Sequence, residues 1–177
     1  LVINLLVAQA ICEKRITIYG GHQWRPFVHV DDAAEAIIKC LEALIHAIKA
    51  QIFNVGSDDQ NYMITEIGQI IKDIIPEAQV IHEADEKDRR NHRVSFEKIR
   101  KQLGFLPRRT VVDGIKEIKA AIESGRIRDY RAPYYSNYKT LKDEDKAVLI
   151  RTVSINPLYE HELKNGYTNI FKAKNFR

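Results

Sequence analysis

The chain has 177 residues, 45% of them hydrophobic, and a formal charge of +4 from 28 basic and 24 acidic side chains. That length can bury one sizeable core, or a core with a small appendage. The mild basic balance suits an anionic small molecule as well as a weak nucleic-acid surface, and Lys and Arg are dispersed rather than gathered into a basic tail.

The opening LVINLLVAQAI is apolar but falls short of the roughly 18–20 residues that span a bilayer. It has no preceding basic region and no small-residue cleavage site, so neither an anchor nor a signal peptide is expected and a cytoplasmic setting is. The start at Leu1, in mid-pattern, reads as the interior of a longer protein. Residues 1–13 have helical spacing of Leu1, Leu5, Ala8 and Cys12. A short strand, Ile16 to Tyr19, follows and ends at Gly20-Gly21, and a second runs from Phe27 to Val30. Asp31 or Asp32 is placed to cap a helix whose apolar positions are Ala34, Ile37, Ile38, Leu41 and Ile45. IFNVGS, 52–57, has the composition of a buried strand, and a helix from about Ile64 to Ile75 stops before Pro76. Gln79 to His82 is a strand. Ser95 is placed to cap a helix over Phe96 to Leu103, closed by Gly104. Thr110 with Asp113 forms a capping-box pattern for a further helix that Gly125 ends.

Cys12 and Cys40 lie in apolar helical surroundings with no metal-type spacing, as expected of buried free thiols. From about residue 126 the chain turns Tyr- and Arg-rich and loses periodicity, as a tail wrapping over a neighbouring surface would. The element order predicts an α/β or α+β fold of short strands and amphipathic helices. The expected organisation is a main domain over 1–125 and an extension of unknown role over 126–177.

The stretch ITIYGGHQWRPFVHVDD, 16–32, is the most informative for chemistry. A strand feeds a Gly-Gly turn, then an arginine flanked by aromatics, then a strand ending in acids. Glycine lets a backbone approach a ligand closely. Arg25 can offer a two-pronged donor to phosphate, and Tyr19 and Trp24 offer flat faces to a base. The same residues also suit a surface loop in which Arg25 pairs with Asp31 or Asp32. His29, on a strand with apolar neighbours, reads as a packed imidazole, His22 as a turn bystander, and Asn54 as support for the turn at Gly56.

ITIYGGHQWRPFVHVDDAAEAI, then QIFNVGS, then a basic segment ahead of VSFEKIRKQLGF, resembles the carboxy-terminal half of the extended short-chain dehydrogenase/reductases. They include the nucleotide-sugar epimerases and dehydratases, and the likeness covers roughly residues 1–125. DRRNHRVSFEKI with YYSNYKTL resembles a branch labelled simply NAD-dependent epimerase/dehydratase. The resemblance implies that Thr17 and Tyr19 lie beside the nucleobase and that Arg25 binds the nucleotide diphosphate. Pro26 stands where the family commonly has Asp, and the turn is one residue shorter than in the dehydratases. The family's second diphosphate arginine falls on Asp85 here, so Arg89, Arg90 and Arg93 are its candidate replacements, with Arg90 and Arg93 favoured. Asn4 replaces a common Pro in the helix lining the sugar pocket and is a further candidate contact.

The chain has no GxxGxxG or GxGxxG after an opening strand, no Tyr-x-x-x-Lys at the family's position and no metal-ligand spacing. In SNYK, 136–139, Tyr138 and Lys139 are adjacent and cannot serve as that pair. The resemblance therefore implies a carboxy-terminal portion lacking most of the Rossmann domain, with no catalytic residue and no metal site of its own. NAD or NADP is expected to bind the longer protein and not this chain alone. Hydride transfer between sugar and nicotinamide, and with it isomerase, lyase or oxidoreductase activity, is expected of that longer protein. Expected partners are a nucleotide-diphosphate sugar, an amino-terminal Rossmann half and further copies of the chain, with neither a membrane nor nucleic acid. The alternative is a non-catalytic nucleotide-sugar binding or assembly module.

Overall fold

A computed structural model describes residues 2–84, 90–136 and 139–140, and the chain divides into two compact units, Leu1–Arg128 and Asp129–Arg177. Among the described residues, the first unit carries ten helices and strands besides a 3₁₀ turn at Asp58–Gln60. They are α1 (Val2–Cys12), β1 (Arg15–Tyr19), β2 (Trp24–Pro26), α2 (Val30–Glu42), α3 (Ile45–Ile48), β3 (Asn61–Met63), α4 (Ile64–Ile74), β4 (Gln79–Glu83), α5 (Glu97–Leu103) and α6 (Val111–Glu123). In the second unit, the described residues form one 3₁₀ turn, Pro133–Tyr135, with the rings of Tyr134 and Tyr135 4.3 Å apart. Tyr138 lies outside the described residues, as do Asp85 and Arg89.

The fold is mixed α/β, as expected. β1 and β4 pair in parallel, from Arg15 opposite Gln79 to Tyr19 opposite Glu83. Parallel neighbours need a crossover, and α4 supplies its last leg. Strand alternation sends Ile16 and Ile18 into the interior, 0% and 1% exposed, and leaves Arg15, Thr17 and Tyr19 on the other face. The main core joins Leu6, Val7 and Ala10 of α1, Ile16, Ile67 and Ile71 of α4, and Val111 and Ile115 of α6. Gly68 allows α4 to close on β1, since a Cβ there would run into Ile18 Cδ1. A smaller cluster packs Ala36 against Phe96, Ile99 and Phe105.

Polar side chains pin the connections. Thr110 Oγ1 accepts from the Asp113 amide, and the Asp113 carboxylate accepts from the Thr110 amide at 2.8 Å, which is the expected capping box. These bonds from Thr110 hold the Asp113 carboxyl below its ordinary value of 3.8. Gly104 takes the left-handed conformation at φ 61° that closes α5. The buried Asp32 carboxylate accepts from the amides of Arg108 and Arg109, both at 2.9 Å.

Several local expectations are corrected. Residues 52–57 form no strand, and Ile52 is 84% exposed. The strand in that part of the chain is β3, which pairs antiparallel with β2. The second strand is Trp24–Pro26 rather than Phe27–Val30, because helix α2 already begins at Val30. Its cap is His29, whose Nδ1 accepts from the Asp31 amide, and not either aspartate. His29 Nε2 also lies 2.9 Å from Glu117 Oε2, so the imidazole is a polar tie to α6 rather than a purely packed ring. Cys12 is exposed, and Cys40 is half-buried. In α1 the buried face is Leu6, Val7, Ala8 and Ala10, with Leu5 outside it. The apolar positions at helical period face out: Ile37, Ile38 and Leu41 of α2 are 62%, 48% and 80% exposed, and α2 ends at Glu42, so that Ile45, 70% exposed, falls in α3.

Candidate functional site

The site grows from the bend between β1 and β2. Gly20 and Gly21 take φ 70° and 88°, and the Gly21 amide donates to the Tyr19 carbonyl at 2.8 Å. Such angles favour glycine. The room the two glycines leave is occupied, however. A Cβ on Gly20 would meet Gln23 Nε2 at 2.5 Å, and one on Gly21 would meet Thr65 Cγ2 at 2.5 Å. The bend is packed against its own chain, so these glycines serve folding. They do not fit a dinucleotide phosphate cradle, and no step through a nicotinamide cofactor is derived from the residues here.

Beyond the bend, β2 carries Trp24 and Arg25, and residues 90–94 run beside it as a strap. The Trp24 amide donates to Asn91 Oδ1 at 3.0 Å, and the Trp24 carbonyl accepts from the His92 amide at 3.4 Å. Arg25 Nη1 donates to the Trp24 carbonyl at 2.9 Å and to the Arg90 carbonyl at 2.5 Å. The Arg93 guanidinium lies over the Trp24 ring, 4.9 Å from its centre, within the range of a cation–π contact. Asn61 of β3, 6% exposed, anchors the far end: its side-chain amide exchanges two 2.9 Å bonds with the backbone of Val94.

Contacts thus bring Arg25 and the Arg93 guanidinium to Trp24, and tie Arg90 to Arg25 through its backbone carbonyl. Neither aspartate after β2 engages Arg25 in the way the loop reading supposed. Asp32 is taken by the 108–109 amides, and Asp31 lies 3.3 Å from Arg109 Nη2. Thr17 and Tyr19 share one face of β1, half-buried and 56% exposed respectively, and Asn4 is exposed on α1. Among the described residues, these three lie outside the hydrogen-bond and ring contacts that join the arginines. Asn91 and Asn61 were not legible as functional in the sequence. Both act through backbone atoms of a distant segment, and no spacing signals such a pairing. Among the described residues no group of His, Cys, Asp or Glu is arranged to hold a metal ion, and no helix is long and apolar enough to cross a membrane.

The model of the NAD dependent epimerase/dehydratase family matches residues 2–56. The ADP-L-glycero-D-manno-heptose-6-epimerase of Helicobacter pylori shares the fold at TM-score 0.57 and 23% identity, over 70% of this chain and 37% of that one. UDP-glucose 4-epimerase of Thermotoga maritima, solved with UDP-glucose, aligns at TM-score 0.60 and 19% identity, over 71% and 40%. A GalE-like L-threonine dehydrogenase of Cupriavidus necator aligns at TM-score 0.55 and 16% identity, over 65% and 39%. The chain therefore spans about two fifths of the length of the solved structures it resembles. Their printed activities include a sugar epimerase and an amino-acid dehydrogenase, so the shared fold does not choose a substrate.

Proposed function

We propose that this chain is the substrate-binding portion of an NAD(P)-dependent nucleotide-sugar epimerase or dehydratase. Thr17 and Tyr19 would receive the base, and Arg25 with Arg90 or Arg93 would hold the diphosphate; Asn4 is the candidate contact to the sugar. The observation that supports this most is the placing of Arg25 and of the Arg93 guanidinium beside Trp24, with the Arg90 backbone bound to Arg25. An L-threonine substrate gives no reason for so much positive charge, whereas a diphosphate is matched by it. Cofactor binding and hydride transfer are assigned to a Rossmann half, not to these residues.

Each charge-assisted contact to the diphosphate contributes about 1.5–3 kcal/mol. Titration calorimetry with UDP should therefore show Arg25→Ala weakening binding by roughly tenfold or more, while Arg15→Ala, on the far end of β1, leaves affinity unchanged. An unaltered dissociation constant in Arg25→Ala would remove Arg25 from the site.

The second reading is a non-catalytic binding or assembly module, favoured by the outward apolar face of α2. Mass spectrometry of the native protein decides between them: upstream residues with a dinucleotide motif support the first reading, and a native chain ending near Leu1 supports the second.

A further inference from the structure

The contact between Trp24 and Arg93 has a consequence of its own. We propose that Trp24 is a positioning residue, whose ring holds the Arg93 guanidinium ready for a diphosphate gripped by Arg25; this rests on the nucleotide-diphosphate reading above. Trp24 is itself well fixed. It pairs opposite Met63 in the β2–β3 ladder, its amide is bound by Asn91, and its carbonyl accepts from Arg25 and from the 92 amide. The residue that carries the ring is thus tied by its backbone both to Arg25 and to the strap that carries Arg93.

Stacking engages the flat face of a guanidinium and leaves its in-plane N–H donors for oxygen acceptors. Arg93 is exposed, and the Trp24 ring is the partner the structure gives its guanidinium among the described residues. A long exposed side chain loses rotamer freedom when it grips a ligand. A contact that already restricts it lowers that cost. One face of the Trp24 ring is thus taken by Arg93.

The test uses the full 177-residue chain, UDP as the probe and calorimetry as the readout. A cation–π contact of ordinary strength predicts that Trp24→Leu raises the dissociation constant by about two- to fivefold. Trp24→Phe, which keeps an aromatic face, should stay within about twofold of wild type. In an Arg93→Ala background Trp24→Leu should have no further effect. Because Trp24 is the single tryptophan of the chain, its emission reports the stack directly, and Arg93→Ala should change it without ligand.

Equal losses in Trp24→Phe and Trp24→Leu would overturn the proposal, as would a Trp24→Leu loss that persists undiminished without Arg93, or emission unmoved by Arg93→Ala. Should Trp24→Leu fail to fold, the emission of wild type against Arg93→Ala decides: a change supports the contact, and no change refutes it. Failure of the underlying reading looks different. UDP would then not bind wild type, or would bind equally well in Arg25→Ala, and this proposal would fall with it.

Discussion

Asp32 joins α2 to the entrance of α6, and its replacement tests how firmly that junction is built. The carboxylate is 4% exposed and takes two amide hydrogens, from Arg108 and Arg109, at 2.9 Å each. Hydrogen bonds to a charged acceptor contribute about 1.5–3 kcal/mol apiece, and a buried donor left without an acceptor keeps its desolvation penalty. Some of that loss is recovered by water entering the space of the removed carboxylate. Asp32→Ala is therefore expected to destabilise the unit by about 2–4 kcal/mol. For a unit of this size that corresponds to a fall in Tm of roughly 6–15 °C. Asp32→Asn keeps one acceptor and turns an N–H toward an amide donor, so it should not rescue. Urea unfolding followed by Trp24 emission measures both variants. A loss below about 0.5 kcal/mol for Asp32→Ala would refute the view that this carboxylate ties α2 to the entrance of α6.

Two further outcomes follow from the surface and the caps. Leu41→Lys with Ile37→Lys should change stability by no more than about 0.5 kcal/mol each, because both side chains already face solvent. The same pair should lower any self-association seen by light scattering; a large destabilisation would show instead that the face is covered within the fold. Asp113 has its folded-state value lowered by the bonds from Thr110, so the stability it contributes is present above its unfolded value, near 3.8, and is lost as pH falls through the lower folded value. The Tm gap between wild type and Asp113→Asn should accordingly be wide near neutral pH and close in acid; a gap independent of pH would contradict the cap.

Elements whose signals are local were legible in the sequence. The capping box at Thr110 and Asp113, the closing Gly104, and the alternation of Ile16 and Ile18 each act within a few residues, and the structure has them where the pattern puts them. Readings that depended on a partner surface failed. The period of Ile37, Ile38 and Leu41 is truly helical, yet periodicity says only that residues share a face, and here that face is turned outward while Asp32 and Ala36 turn in. IFNVGS has strand composition but, among the described residues, no neighbouring strand to complete a ladder, whereas NYM finds one in WRP. At the candidate site, Arg25 and the 90–93 segment could be named because arginines are conspicuous. Their alignment was hidden, since Asn91 and the Trp24 carbonyl act through contacts 67 and 68 positions apart, and Asn61 through contacts 33 apart. The paired glycines were read as room for a ligand, and the room proved to be taken by Gln23 and Thr65.

The most direct measurement of the central claim is a crystal of this chain soaked with UDP. The account predicts diphosphate density within hydrogen-bonding reach of the Arg25 guanidinium, shared with Arg93 on its Trp24 stack and with the uracil toward Tyr19. Density for UDP elsewhere on the molecule, with the edge of β2 unchanged, would contradict it.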